Sequence, residues 1–241
     1  MILLKKNIKI EDITCKNSIS TFKLEASSMQ RVAHKWNDLL QDAANKDKQL
    51  WDSASCRLES IEEKPENRAE IKISSIPFSV RYPMRFLDGI IEPEDTSTWP
   101  RGMFLHVLFQ TKDGYFVFGS KSQALYSHRN VTFVGGVLDF KAQAKDIIQH
   151  TLFLELEEEI FVTSEDLQDI VFMGAYQNDH FNVGLLVLCS SKLMKQQLED
   201  RFKDNNSKTN ELASLIFIEA NNLNNFITKE FSYGNDLVNL L

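Results

Sequence analysis

The sequence predicts an α/β protein, and three observations predict it. Strand-like runs alternate with two sizeable helical patterns in the C-terminal half. An Asp113-Gly114 pair separates two such runs as a hairpin signal. A glycine pair, Gly135-Gly136, ends a β-rich run just ahead of a helical pattern that finishes in a knot of glutamates.

At 241 residues the chain suits one large or two modest domains. Lys and Arg number 27 against 34 Asp and Glu, a net charge of -7, so no nucleic-acid groove is expected. Seventeen phenylalanines with nine glycines and five prolines suggest a well-packed fold without long linkers. Cys15, Cys56 and Cys189 are far apart and show no zinc-ligand spacing, which reads as unpaired thiols in a reducing compartment. Met1–Lys6 holds too short an apolar run for a secretory signal, and no stretch reaches the ~18 apolar residues of a membrane span. No membrane association is expected, and the expected location is the cytoplasm.

Residues 1 to 25 alternate in short β-like pieces, with Ile8, Ile10 and Ile13 as apolar teeth. Ser27–Ala44 is helical: Met29, Val32, Trp36, Leu39 and Leu40 recur at three- and four-residue steps. Leu50-Trp51 then re-enters the core. Cys56–Ile61 and Ala69–Ile76 read as strands around a charged turn. Pro77, Pro83, Pro93 and Pro100 favour extended pieces over a helix, so Ser79–Tyr82 is expected as a short strand or loop. The polar segment 91–100 is the expected boundary between a smaller N-terminal α+β domain, residues 1–100, and a second domain, residues 101–241.

In that second domain, Leu105–Gln110 and Tyr115–Phe118 form the hairpin, and Val131–Val134 is a strand. Ile170–Tyr176 and Phe181–Cys189 are strands, Leu193–Phe202 is helical, Glu211–Ile218 carries a short strand, and Asn221–Ile227 starts a last helix.

The acidic stretch carries the chemistry. On a helix, Glu155, Glu158 and Glu159 share one face at i, i+3, i+4, while Leu152, Phe153, Leu156 and Ile160 form a neighbouring apolar face. A solvated acidic surface is one reading. Against it, like charges at this spacing repel by roughly 0.2–0.5 kcal/mol per pair, and the carbonyl end of a helix disfavours anions. A divalent cation held by these oxygens removes both penalties, so the cluster reads as a site for Mg²⁺ or Mn²⁺.

Gly135-Gly136, a loop, and a helix bearing Leu154-Glu155-Leu156-Glu157-Glu158-Glu159 together resemble the Nudix box of Nudix hydrolases. Glu155, Leu156, Glu158 and Glu159 fall on its E-U-x-E-E core, U being a bulky aliphatic residue. Asp146 stands at its earlier glutamate and Val162 at its last aliphatic place. The sequence departs from the box at three points. Gly136 and Asp146 are ten apart where the box has six. Leu154 replaces an arginine that braces a box glutamate, and Phe161 replaces a late glycine.

The resemblance implies a Nudix-type α/β/α sandwich with a mixed sheet. It also implies Mg²⁺-dependent hydrolysis of a diphosphate in a nucleoside diphosphate derivative, of nucleotide-sugar or ADP-ribose type. Glu155, Glu158 and Glu159 would hold metal and catalyse, with Asp146 and a late glutamate, Glu211, as further metal ligands. Gly135 and Gly136 would let backbone approach a phosphate, and Lys121 and Arg129 would bind substrate phosphate. Asp139 falls where many Nudix boxes carry another acid and is a secondary candidate, with closing the lengthened loop as its other reading, and His180 is a secondary candidate for lining the pocket. Residues 1–100 faintly resemble the N-terminal extension of nucleotide-sugar diphosphatases, which shapes substrate choice or pairs subunits into a homodimer. A nucleotide-binding module without turnover, and a protein-interaction scaffold, stand as alternatives.

Overall fold

The computed structural model describes residues 1–48, 50–122, 130–140, 146–205 and 211–241. In chain order the elements are β1 (Ile2–Lys9), β2 (Ile13–Asn17), α1 (Ala26–Asn45), β3 (Ala54–Lys64), β4 (Arg68–Pro77), α2 (Phe78–Met84), β5 (Met103–Gln110) and β6 (Tyr115–Lys121). They continue as β7 (Val131–Phe133), α3 (Ile147–Ile160), β8 (Leu167–Gln177), β9 (Val183–Ser191), α4 (Lys195–Asn205), β10 (Leu212–Glu219), α5 (Leu223–Glu230) and α6 (Gly234–Leu240).

Among the described residues, seven strands form a mixed sheet in the order β1-β8-β9-β5-β6-β10, with β7 also paired to β6. The parallel contact in it is β5 with β9; the other pairings are antiparallel. Strand alternation sends β5 side chains to two opposite cores. Met103, Leu105, Val107 and Phe109 join Leu152, Leu156 and Ile160 of α3 and Leu198 and Phe202 of α4. Phe104 and Leu108 face Leu223 and Ile227 of α5 and Leu237 and Leu240 of α6. Helices therefore cover both faces of the sheet, which is the α/β/α layering expected. A second sheet, β2-β4-β3, packs into the first of these cores through Cys15, Leu58, Ile71 and Ile73.

Four expectations need correction. The boundary at 91–100 does not separate two cores, because β1 is an edge strand of the main sheet and Leu4 and Ile8 share a core with Leu105 and Leu152. Ser79–Tyr82 is helical as part of α2. Pro83 near its end removes one hydrogen bond, whereas Phe78 and Tyr82 stack with ring centroids 4.9 Å apart, and Met84 packs against Val32 of α1. Tertiary packing outweighs the proline there. Trp51 does not enter the core; it is 61% exposed. Finally, the last helix is followed by another, α6. Among the described residues no helix is long and apolar enough to cross a membrane, and Cys15, Cys56 and Cys189 are buried free thiols.

Candidate active site

The site forms where β7 ends and α3 faces it. After Phe133 the chain runs alongside β5: the Val107 amide donates to the Val134 carbonyl at 2.9 Å, and the Leu105 amide to Gly136 at 2.7 Å. Gly135 is held at φ +126°, and a Cβ on it would lie 2.4 Å from the Leu105 carbonyl oxygen. Only a residue without a side chain fits so close to a neighbouring strand.

On α3 the stripe of Leu152, Leu156 and Ile160 is fully buried. Burial of that stripe fixes the rotation of the helix and turns Glu155 and Glu159 toward the glycine turn. The Gly135 amide donates to Glu159 Oε2 at 2.8 Å. The Glu155 carboxylate lies over Gly136, where a Cβ would come within 2.1 Å of Oε1. Each glycine thus seats one carboxylate.

A cavity of about 410 Å³ opens at this point, walled by Asp139, Glu155, Glu158, Glu159 and Glu211, with Lys121 also on its lining and Trp51, Phe78 and Leu154 among its apolar parts. The acids strain one another. Burial, then Glu211, Glu158 and Asp139, pushes Glu155 up to about 7. Glu159 is pushed well above the usual carboxylate range by burial and by Glu155, against the opposing pull of the Gly135 amide and Lys121. Burial and Glu158 also raise Glu211, and Lys121 opposes this. The ionised cluster is therefore short of positive charge, which suits a hard cation in donor chemistry. Among the described residues, however, no three His, Cys, Asp or Glu side chains converge as a ready-made metal-ligand set.

Of the residues expected at the site, Gly135, Gly136, Glu155, Glu158, Glu159, Glu211 and Lys121 line this cavity, as does Asp139. Asp146 does not. It precedes α3, nine residues before Glu155, and lines a separate small cavity with Cys15 and Ile148. Nine residues of helix rise by about 13 Å, too far for a shared ion. Arg129 lies outside the described residues. Leu154 is 42% exposed at the cavity instead of bracing a carboxylate. Phe161 caps α3 in the left-handed conformation, φ 59°, the conformation for which a glycine is the usual residue.

A second cavity, of about 320 Å³, adjoins the first and shares Phe78, Lys121, Thr132 and Val137 with it. Its other lining includes Arg81, Tyr82, Arg85, His106, Asn182 and Tyr233, together with His180. The α2 residues were missed because the prolines masked a helical stripe. Phe78, Arg81, Tyr82 and Arg85 stand at i, i+3, i+4 and i+7, a spacing visible in the sequence.

No family model matches the chain, and no curated protein matches it. Solved structures similar to it include a Deinococcus radiodurans protein, with a TM-score of 0.40 at 14% identity over 58% of this chain and 80% of that one. MutT from Aliivibrio salmonicida and Vibrio cholerae aligns with a TM-score of 0.37 at 16% identity, over 57% of this chain and 92% of the other. A mutT/nudix family protein from Listeria innocua aligns with a TM-score of 0.37 at 14% identity, over 58% and 98%.

Proposed function

We propose that the chain hydrolyses a diphosphate bond in a nucleoside diphosphate linked to a second moiety, of nucleotide-sugar or ADP-ribose type, with Mg²⁺ or Mn²⁺ as cofactor. One observation carries this reading: Glu155 and Glu159, both raised in pKa, sit on the two glycines of one turn at the wall of a cavity with three further carboxylates.

Glu155, Glu158, Glu159 and Glu211 would hold the cation, which when bound supplies charge neutralisation for phosphate oxygens and acidifies water. The protein needs no covalent intermediate for such a transfer. Its own groups orient the reactants. Gly136 leaves the backbone bare beside Glu155, and Lys121 places one cation on the walls of both cavities. Burial and the neighbouring carboxylates push Glu155 up to about 7, a penalty that a bound cation would relieve.

The test is incubation of the purified protein with a panel of nucleoside diphosphate derivatives plus Mg²⁺ or Mn²⁺, followed by product analysis. Turnover that disappears with EDTA, and falls by about two orders of magnitude or more in Glu159→Gln, is expected. Full activity in Glu155→Gln and Glu159→Gln would overturn the assignment. The second reading, a nucleotide-binding module without turnover, is favoured by Leu154 in the arginine place, exposed at the cavity. Calorimetry showing metal-independent nucleotide binding with no hydrolysis would establish it in place of the first.

A further inference from the structure

The second cavity differs from the first in charge. Among the described residues, the first gathers five carboxylates with Lys121, whereas the second gathers Arg81, Arg85 and Lys121 with one acid, Asp179. Arg81 is only 7% exposed. Its Nε donates to Ser55 Oγ at 3.1 Å, and its guanidinium lies 4.7 Å from the Phe78 ring centroid. Its Nη2 is buried and, among the described residues, has no hydrogen-bond partner. Gly102 makes room for this side chain, since a Cβ there would come within 2.4 Å of Arg81 Cδ.

A buried guanidinium nitrogen without an acceptor carries the full cost of its lost hydration. A second cation makes that worse. Burial first, and Arg85 next, lower the Arg81 pKa to about 10, while Asp139 opposes them, so Arg81 stays charged near neutrality. Arg85, the residue that caps α2, stands one turn beyond Arg81, over the rings of Tyr82 and Phe86. Two guanidiniums on one cavity wall, one with an unused donor, form an arrangement that a tetrahedral oxyanion completes. Arginine forks match such oxygens in geometry as well as charge.

We propose that the second cavity is a phosphoryl subsite in which Arg81 is the principal donor and Arg85 the second cation. The substrate then lies across both cavities, its reacting end over the carboxylates and an oxyanion beyond Lys121. That placement of the reacting end rests on the proposed function; the subsite itself does not. The bound phosphoryl group is either one of the diphosphate's own or a further phosphomonoester on the attached moiety.

Titration calorimetry of the full chain with inorganic phosphate in EDTA tests the subsite apart from any metal. Saturable binding is expected, weakened at least tenfold in Arg81→Gln and at least threefold in Arg85→Gln. Arg81→Lys should not restore it, since an ammonium lacks the fork. Arg85 is exposed, so its replacement leaves the core intact and decides the matter if Arg81→Gln does not fold. Absence of binding, or unchanged affinity in Arg85→Gln and in folded Arg81→Gln, would overturn the proposal.

A kinetic comparison of ADP-ribose with its 2′-phosphorylated form identifies the source. A preference of tenfold or more in kcat/KM for the phosphorylated form, lost in Arg85→Gln, assigns the subsite to a further phosphomonoester. Equal values that fall together in that variant assign it to the diphosphate itself. Phosphate binding without hydrolysis of any compound would leave the subsite standing and the proposed reaction refuted.

Discussion

A single methyl group added at Gly135 or at Gly136 should have opposite consequences. At Gly135 the backbone is left-handed and the new Cβ meets a carbonyl oxygen of β5, so Gly135→Ala must move a strand or break the turn. A loss of more than about 2 kcal/mol of stability is expected, read by urea denaturation. At Gly136 the obstruction is the end of the Glu155 side chain, which swings away at little cost. Gly136→Ala should therefore keep its melting temperature within about 3 °C, a shift worth roughly 1 kcal/mol or less, while hydrolysis falls at least tenfold. A full-activity Gly136→Ala enzyme would show that the Glu155 position is irrelevant to catalysis. At this scale, seven residues singled out from the sequence, by spacing or by the resemblance, lie on one cavity wall. Asp146 failed because spacing along a motif says nothing of the path of a lengthened loop. The loss of the arginine at Leu154 was legible in the sequence, whereas its exposure at the cavity was not.

At the level of elements, the end of α3 shows how the chain tolerates a residue in a glycine place. Phe161 is left-handed, and its carbonyl accepts from Arg201 Nη1 at 3.1 Å. The same guanidinium pairs with Asp166 through both nitrogens, at 2.6 and 3.1 Å, and Asp166 Oδ2 in turn accepts from the Thr163 amide. One arginine from α4 thus ties down the helix end. Arg201→Met is expected to cost about 1–2 kcal/mol, more than a simple surface pair because a helix carbonyl also loses its partner. The hydrogen bond from Arg201 is the main reason that the Asp166 pKa lies below its ordinary value. A depressed carboxylate contributes stability above its unfolded pKa of about 3.9 and loses it as pH falls through the folded value. The gap in stability between wild type and Arg201→Met should accordingly be constant at pH 5–7 and shrink below pH 4. A gap that widens with acid would contradict the pairing.

Phe161→Gly tests the same cap from the other side. It relieves a left-handed conformation costing about 1–2 kcal/mol, and it forfeits a half-buried ring whose removal costs about the same. The net change should stay within about 1 kcal/mol, far below the 3–5 kcal/mol of an ordinary buried Phe truncation. Periodicity revealed α1, α3 and most strands because each buries one regular face. It missed α2 because the decisive contacts, the Phe78–Tyr82 stack and Met84 on α1, are with partners distant in sequence or hidden behind proline signals.

The whole molecule is governed by the membership of its first hundred residues in one shared core. β1 pairs antiparallel with β8 from Ile2 opposite Tyr176 to Lys9 opposite Val171, and Lys5 Nζ donates to the Asn239 carbonyl of α6. Cys56, Leu58, Ile71 and Ile73 of the smaller sheet are fully buried in the cluster that contains Leu105 and Leu152. Composition could mark a polar boundary at 91–100, but strand pairing across more than 160 positions leaves no local trace. Each aliphatic side chain uncovered costs about 1.5–3 kcal/mol. Loss of Leu4, Ile8, Leu58, Ile71 and Ile73 together therefore approaches or exceeds a typical net stability of about 5–15 kcal/mol. Residues 101–241 expressed alone should not unfold cooperatively, and should show little near-ultraviolet circular dichroism and rapid amide exchange in β8 and β9. Removing only residues 1–9 should be milder, a drop of several degrees in melting temperature, because two buried apolar side chains and one edge pairing are lost. A stable, cooperatively folded fragment 101–241 would restore the two-domain division and make the N-terminal half a separable module. Otherwise α2 and its arginines continue directly from β4, a strand whose Ile71 and Ile73 lie in the core that seats the carboxylates, and the two ends of the cleft must fold together.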